Sequence, residues 1–269
     1  MKILVCIKQV PDSQKVQVDP ITGSLMRAGI DAKMNPYDLF ALEAALQLKD
    51  SRGAHVTVMT MGPQAAVDIL REAYALGSDD AVLVSDRGFA GADVLATAHT
   101  LAYAIQALNT DFDLILCGKQ TTDGDTAQVG PAVAEILGIP HVSWVDEIRS
   151  SNEGSVTVHY ALTSCTHLAQ VKTPCLLTIE KDYSQPRYPS YLKIKATSKR
   201  QPRVVSLKDL NGEDVPAHVG SMGSATQVER IFPPASRSEN LRFEGDSTKL
   251  ANDLVEYLIS EHIIAKEIQ

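Results

Sequence analysis

The chain contains few aromatic residues and no long hydrophobic run. Only 5% of its 269 residues are Phe, Trp or Tyr, so the core has to be built mainly from Val, Ile, Leu and Ala. No stretch approaches the roughly 20 apolar residues that a membrane-spanning helix requires. The apolar run within Met1–Lys8 is also too short for a signal peptide. We therefore expect a cytoplasmic protein without a membrane span.

The sequence also lacks a basic excess, the spacing of a metal site and a catalytic set. A net charge of −8 counts against nucleic-acid binding, which usually requires a basic surface. The cysteines and histidines are scattered, which favours neither a metal site nor the disulfide framework of a small secreted protein. Cys6 and Cys117 lie in apolar runs, which favours small buried thiols. No Ser/His/Asp or Cys/His set points to a catalytic residue.

What the chain does contain is a regular alternation of strand and helix patterns. The predicted strands are Ile3–Val10, Ala54–Met61, Ala81–Ser85 and Phe112–Cys117, and the predicted helices are Tyr37–Lys49, Gln64–Leu76, Asp93–Leu108 and a segment ending at Leu137. This alternation predicts an α/β fold with an open, mostly parallel, doubly wound sheet of the Rossmann-like type. Ligands of such sheets bind beyond the carboxyl ends of the strands. The loops after Ile7, Met34, Met61 and Cys117 are expected to meet at that edge.

The second half of the chain follows a different pattern. Antiparallel strands are predicted at His141–Ile148, Ser155–Leu162 and Leu168–Lys172, and one more apolar strand at Cys175–Glu180. Residues 206–238 are rich in Gly, Pro and Ser and are expected to be extended, ahead of an amphipathic helix at Thr248–His262. We divide the chain into an α/β domain over 1–185, a segment over 186–205, and an arm with its helix over 206–269.

The loop between the fourth strand and its helix carries the most chemical information. It reads Gly118, Lys119, Gln120, Thr121, Thr122, Asp123, Gly124, Asp125, Thr126, Ala127, Gln128, Val129, Gly130 and Pro131. We expect Thr126 or Asp125 to cap the helix, and Gly124 to permit a positive φ or a close approach of ligand to the backbone. The free N–H groups of about 127–130 would then point at an anion, at the positive end of the helix dipole.

The loop matches neither a P-loop nor a GxGxxG motif. On spacing alone, nucleotide binding and a capped helix start with a solvated loop are equally compatible with it. Asp123 and Asp125 are better explained by capping or loop hydrogen bonds than by a metal pair or acid/base chemistry.

Five blocks of sequence in order carry a resemblance to a known family. They are Ile3–Pro11, Met34–Asp38, Met61–Pro63, the Gly118–Pro131 loop and Pro186–Tyr188. Together they resemble the beta subunit of electron transfer flavoproteins. The resemblance implies a larger alpha subunit that carries FAD, with the C-terminal helix docked on it. It also implies cofactor contacts by Cys6, Asn35, Pro36, Tyr37, Asp38, Met61 and every residue from Gly118 to Val129.

The type of cofactor follows from a detail of the loop. The AMP-binding form resembles Asp-Asp-Asp-Cys-Asn-Gln-Thr-Gly, whereas this chain has Gly124 and Ala127 where that pattern has Asp and Asn. These changes remove bulk and negative charge where a diphosphate would pass. The loop is thus similar to the electron-bifurcating subfamily, which implies FAD with NADH as hydride donor. AMP, as in the non-bifurcating type, is the alternative.

The resemblance also implies the partners. The segment 186–195 corresponds to the family's recognition loop, so Tyr191 and Leu192 are expected to dock on an acyl-CoA or 2-hydroxy-acid dehydrogenase. Ferredoxin or flavodoxin is the expected low-potential acceptor. Two other classes share parts of the pattern, namely a nucleotide-binding regulator of the stress-protein type and an adenylate-forming ligase.

Overall fold

The structure is a computed structural model that describes residues 1–12, 32–181, 183–229 and 241–265. It contains two compact units, Met1–Glu229 and Arg230–Gln269. In the second unit the described part consists mainly of one helix. Among the described residues, no helix combines the length and apolar character needed to span a membrane.

The first unit is built on a nine-stranded sheet and a separate two-stranded hairpin. The strands are β1 (Lys2–Cys6), β2 (Gln9–Pro11), β3 (Ala32–Met34), β4 (His55–Met61), β5 (Asp80–Val84), β6 (Leu114–Gly118), β7 (His141–Asn152), β8 (Ser155–Ala161), β9 (Thr166–Lys172), β10 (Cys175–Ile179) and β11 (Arg203–Val205). The order in the large sheet is β11-β5-β4-β1-β6-β10-β7-β8-β9. Pairing is parallel from β11 to β7 and antiparallel at β7–β8 and β8–β9. The predicted mostly parallel sheet with an antiparallel extension is confirmed.

Helices cover the two faces of the parallel part. The helices of the first unit are α1 (Pro36–Arg52), α2 (Val67–Leu76), α3 (Val94–Ala107), α4 (Val129–Leu137), α5 (Tyr191–Thr197) and α6 (Val215–His218). The second unit contains α7 (Ser247–Ser260). Along β1, Ile3 and Val5 belong to the buried cluster with α1 and α2, whereas Leu4 belongs to the cluster with α3 and α4. A strand that is buried on both faces has to be apolar at every position, which explains the uninterrupted run at the N-terminus.

Two local predictions are wrong, and one helix was not predicted from the sequence. The run Ile3–Val10 forms two elements, because the chain leaves the large sheet after Cys6 and pairs as β2 with β3. The segment 191–197 forms α5, which packs on α2, although its sequence lacks a clear apolar stripe. The described part of 206–238 is not extended, since it contains a 3-10 turn at Leu207–Asp209 and α6. Residues 230–238 of that prediction lie outside the described residues. The predicted terminal helix is present as α7.

Candidate functional site

The strand order places a topological switch point between β1 and β6. The chain proceeds from β1 outward through β4 and β5, then crosses to β6 on the other side of β1. At such a point the loops that follow the two strands diverge and leave a crevice at the carboxyl edge. Cys6 and Cys117 stand opposite each other in the last register pair before this crevice. Met61 ends β4 at the same edge, beside β1. The predicted convergence of the four loops is therefore present.

The buried carboxylate of Asp38 joins the ends of the two strands. Its Oδ2 accepts a hydrogen bond from the backbone N–H of Lys8 at 2.7 Å, and its Oδ1 accepts one from the N–H of Gly118 at 3.2 Å. Burial raises the pKa of Asp38 to about 7, against the opposing hydrogen bonds from Asn35, Lys8 and Gly118. Because each carboxylate oxygen accepts one of these hydrogen bonds, Asp38 connects the loop after β1 to the loop after β6.

Asn35 connects the start of α1 to the loop after β6. It occupies the N-cap position, but its side chain makes no capping hydrogen bond. Instead its amide nitrogen donates to the carbonyl of Gln120 at 2.8 Å, and its amide oxygen accepts from the N–H of Thr122 at 3.2 Å. The residue is completely buried. Its side chain therefore fixes the first half of the loop.

Gly118 is required by the close approach of α1 to the end of β6. A Cβ at this position would lie 2.7 Å from the carbonyl carbon of Tyr37 and 2.8 Å from the nitrogen of Asp38, and still closer to the Asp38 carboxylate. These are backbone atoms that cannot move aside cheaply. The first turn of α1 and the loop thus form one rigid wall.

An ion pair links the loops directly. The Lys8 ammonium donates to both carboxylate oxygens of Asp123 at 2.8 Å. Burial acts to raise the pKa of Asp123, but hydrogen bonds from Lys8 and Thr121 outweigh it and hold that pKa below its ordinary value. Lys8 was not selected from the sequence, although a cation directly after the first apolar run, at the carboxyl end of β1, could have been recognised.

The second half of the loop, from Asp123 to Gln128, is mostly exposed and less constrained. Asp125 and Ala127 both adopt φ of 55°, a left-handed conformation that is uncommon for residues other than glycine. The Asp125 side chain accepts a hydrogen bond from the Gln120 amide. Both loop carboxylates are therefore used in loop interactions, as expected. Among the described residues, no acceptor lies within hydrogen-bonding distance of the backbone N–H groups of 126–130.

One predicted detail of the loop is wrong, and one of the two alternatives for Gly124, a positive φ, is not observed. The N-cap of α4 is Gln128, without a side-chain capping bond, so neither Thr126 nor Asp125 caps this helix. The positive φ angles fall on Asp125 and Ala127, and a Cβ on Gly124 would meet only the Thr121 hydroxyl at 3.5 Å. Pro131 lies in the first turn of α4, as predicted.

Lys119 points away from the crevice toward the neighbouring strands. Its ammonium forms an ion pair with Glu180 at 2.7 Å and lies 4.8 Å from the centre of the Trp144 ring. A cation over an indole face is electrostatically favourable. The backbone of Trp144 has φ of 63°, and its backbone N–H donates a hydrogen bond to the Thr178 hydroxyl at 3.0 Å. Trp144 and Glu180 were not selected from the sequence.

The segment expected to dock on a partner is anchored by Arg187. Its guanidinium makes two hydrogen bonds to the buried carboxylate of Glu43, at 2.8 and 3.0 Å, and an ion pair with Asp50 at 2.9 Å. Hydrogen bonding to Glu43 raises the pKa of Arg187 above its ordinary value. Beyond this anchor, Tyr191 and Leu192 on α5 are 76% and 77% exposed. They lie on a different part of the unit from the crevice, because α5 packs on α2.

Metal ligation has no support in the part of the chain that the structure describes. No group of three or more His, Cys, Asp or Glu side chains there could hold an ion. The four cysteines are free thiols. Burial and the hydrogen bond from Cys6 both act to raise the pKa of the Cys117 thiol, and the hydrogen bond is the larger cause.

Comparison with known proteins agrees with this geometry. The family described as "Electron transfer flavoprotein domain" matches residues 22–210. An electron transfer flavoprotein subunit beta from Megasphaera elsdenii is 42% identical over 98% of this chain and 100% of its own length. The subunit CarD of the caffeyl-CoA reductase-Etf complex of Acetobacterium woodii is 42% identical over the same shares of the two chains.

A third relative carries a different name. The protein FixA of Azorhizobium caulinodans is 43% identical over 89% of this chain and 86% of its own length. Family match and relatives together cover both the crevice and the segment around Arg187. The chain therefore belongs to the electron transfer flavoprotein family and has the electron-transfer role of its beta subunits, which act with an alpha subunit.

Proposed function

We propose that this beta subunit binds FAD in the crevice between β1 and β6, takes electrons from NADH, and distributes them by electron bifurcation. The bound flavin would supply hydride acceptance and one-electron release, and the protein supplies binding, orientation and electrostatics. One branch leads to ferredoxin or flavodoxin, and the other leads through the alpha-subunit FAD to a partner dehydrogenase.

The observation that carries the cofactor proposal is the open second half of the loop. The N–H groups of 126–130 form no hydrogen bond to a described residue, and they lie at the positive end of the α4 dipole, around its first turn. A diphosphate provides the acceptors that these groups lack. Gly124 is open to its surroundings, and Ala127 keeps a small side chain in a left-handed turn. Both residues leave room for a ligand longer than AMP.

The residues of the crevice have distinct roles in this proposal. Asn35 and Asp38 hold the loops through hydrogen bonds of their side-chain polar atoms, so in this proposal they act as positioning residues. Lys8 forms an ion pair with Asp123 at the mouth of the crevice. CarD, whose name assigns it to a caffeyl-CoA reductase complex, supports an acyl-CoA-type reductase or dehydrogenase as the third partner.

The direct test is the cofactor content of the heterodimer purified with its alpha subunit. Two FAD per heterodimer support the proposal. One FAD with one AMP contradicts it and supports the non-bifurcating alternative. A sharper version restores the AMP-type pattern with Gly124→Asp and Ala127→Asn. Because Asn tolerates a left-handed conformation well, the fold should persist while FAD is lost in favour of AMP. Thr126→Cys, which changes another of the four differing positions without adding bulk or charge, is the matched control and should retain FAD.

The docking role of α5 is tested separately. Exposed aromatic and aliphatic side chains on a firmly anchored segment are typical of a transient interface. Replacing Tyr191 and Leu192 by Ala should slow electron transfer to the partner dehydrogenase without changing flavin content. Leu168→Ala on β9, another exposed leucine, is the control. An unchanged transfer rate in the double variant would remove Tyr191 and Leu192 from the interface.

A further inference from the structure

Two cysteines face each other in the centre of the parallel sheet. Cys6 is the last residue of β1, and its register partner on the neighbouring strand β6 is Cys117. Hydrogen-bonded strands lie about 4.8 Å apart, and residues in register point to the same face of the sheet. Both cysteines accordingly pack in the cluster on the α3 and α4 face. The two thiols are thus neighbours in space, although they are far apart in the sequence.

The position of this pair suits a disulfide bond. A disulfide requires Cα atoms roughly 4.4–6.8 Å apart and side chains that point toward a common space. The separation of adjacent strands falls in this range, and a hydrogen bond already joins the Cys6 and Cys117 thiols. Both cysteines are free thiols in the structure. Because the pair is the last in register before β1 and β6 diverge, the strand ends can adjust to a new covalent bond.

The two thiols differ in their access to the crevice. Cys6 is partly exposed, whereas Cys117 is 8% exposed. The hydrogen bond with Cys6 and burial raise the pKa of Cys117, so this thiol keeps its proton at neutral pH. A reagent in the crevice therefore reacts with Cys6, and Cys117 needs to contact only the Cys6 sulfur. Thiols that respond to oxidants are often arranged in this way, with an accessible cysteine beside a resolving one.

From this arrangement we propose that Cys6 and Cys117 form a reversible disulfide between β1 and β6, with a peroxide as the oxidant. The Cys6 sulfur attacks hydrogen peroxide, the O–O bond breaks, one water leaves, and a sulfenic acid forms on Cys6. The Cys117 sulfur then displaces the sulfenic hydroxyl, which leaves as a second water with the Cys117 proton. In total two thiols are oxidised to one disulfide, and one peroxide is reduced to two molecules of water.

The disulfide lies beneath the first turn of α4. A Cβ on Gly130, in that turn, would lie 3.6 Å from the Cβ of Cys117 and 2.8 Å from the Cγ2 of Thr178, so the helix packs directly on this part of the sheet. A covalent bond between two sulfurs is shorter than a hydrogen bond between thiols. Its formation therefore draws the ends of β1 and β6 together under α4. We expect the crevice to lose affinity for its cofactor.

The test treats the heterodimer with hydrogen peroxide, once with its cofactors bound and once after the beta-subunit cofactor has been removed. Free thiols are then alkylated, and peptide mass spectrometry detects a peptide that links Cys6 to Cys117. We expect this peptide in the cofactor-free sample, and slower formation when a cofactor covers Cys6. Dithiothreitol should restore both thiols. The linked peptide in either sample supports the proposal, and its absence from both overturns it.

Variants separate the pair from the other cysteines. Cys117→Ser removes the resolving thiol, so the sulfenic acid on Cys6 should accumulate and be trapped by dimedone, whereas the wild type should show little of this adduct. Equal amounts of adduct in both proteins would overturn the role of Cys117. Cys165, in the turn between β8 and β9, and Cys175, at the start of β10, provide the controls. Cys165→Ser and Cys175→Ser should form the linked peptide as the wild type does.

The effect on the crevice is measured separately, because it rests on the proposed cofactor site whereas the disulfide does not. Cofactor affinity is compared before oxidation, after oxidation and after reduction with dithiothreitol. A loss of affinity that dithiothreitol reverses supports the effect, and an unchanged affinity in the linked protein overturns it. The linked peptide is detected whether the crevice binds FAD or AMP. Failure of the disulfide and failure of the proposed function are therefore distinguishable.

Discussion

The two halves of the loop between β6 and α4 are held in different ways. From Gly118 to Thr122 the backbone is joined to α1 by the buried side chains of Asn35 and Asp38. From Asp123 to Gln128 the chain is mostly exposed and contains two left-handed residues. The first half is thus part of the scaffold, and the second half is available to a ligand. Functional loops are often arranged in this way, with flexible contacts carried on a rigid support.

The largest effect is expected from Gly118→Ala. The added Cβ would overlap with the backbone of Tyr37 and Asp38, so α1 and β6 would have to separate. We expect a loss of more than about 3 kcal/mol in the free energy of unfolding, together with loss of cofactor. Gly124→Ala is the matched control in the open half and should change the free energy of unfolding by less than about 0.5 kcal/mol. Chemical denaturation of both variants makes the comparison, and similar losses would show that the two halves do not differ.

Asp38→Asn should have the next largest effect and a distinct pH dependence. The amide NH₂ would face a backbone N–H, leaving a buried donor unpaired at about 1–3 kcal/mol. In the wild type the pKa of Asp38 is raised from 3.8 to about 7, so the folded state holds a proton that the unfolded state releases. That contribution is fully present below about pH 4 and is lost as the pH rises to about 7.

The advantage of the wild type in the free energy of unfolding should therefore fall over this window by up to about 1.4 kcal/mol per pH unit. Because the window spans roughly three pH units, this loss exceeds the penalty of about 1–3 kcal/mol, and the variant should be the more stable protein at pH 7. Above about pH 7 the difference between the two proteins should remain constant. Urea denaturation at several pH values measures it. A difference that is independent of pH would mean that Asp38 is ionised in the folded protein throughout.

Lys8→Met tests the contact between the two loops at the mouth of the crevice. An exposed ion pair contributes little to stability, so we expect a loss of roughly 0.5 kcal/mol. The rate of cofactor release should increase, because the second half of the loop loses its attachment. Lys33→Met removes a comparable exposed pair with Asp12 and should leave cofactor release unchanged. Equal release rates in the two variants would assign Lys8 to stability alone.

The smallest effect is expected from Ala127→Gly. Glycine adopts the observed left-handed conformation without strain, but it loses more conformational freedom on folding. The relief of backbone strain and the larger loss of conformational entropy oppose each other, so the free energy of unfolding should change by less than about 0.5 kcal/mol. Ala127→Val, a β-branched residue at the same φ, should be clearly destabilising. Thermal unfolding of the Ala127→Gly and Ala127→Val variants decides whether the backbone at residue 127 is strained.

Much of the fold could be predicted from the sequence, because the pattern of apolar residues is local. The runs that became β5, β6 and β10 are apolar at nearly every position, since they are buried on both faces of the sheet. The end of the first strand was misplaced, because Val10 is also apolar and buried but belongs to the small hairpin. α5 was missed because a short helix held by Arg187 and by α2 needs little helical pattern of its own.

The hydrogen bonds between side chains and loops within the site could not be predicted in the same way. Asn35-Pro36 was recognised as a helix start, and the α1 helix does begin at Pro36. That the Asn35 amide would hold Gln120 and Thr122, however, depends on a residue 85 positions away. The proposed ligands, FAD and NADH, remain predictions that rest on the loop and on the family.

The sequence by itself determined the alternation of strands and helices, the apolar character of the sheet and the position of the loop from Gly118 to Pro131. These features depend on neighbours within a few residues. The tertiary structure alone decided the strand order, the burial of Asp38 and the pairing of Lys8 with Asp123, which are 115 residues apart. The reason is physical: periodicity specifies which face of an element is buried, whereas the contacts of a polar side chain depend on which elements the sheet makes adjacent.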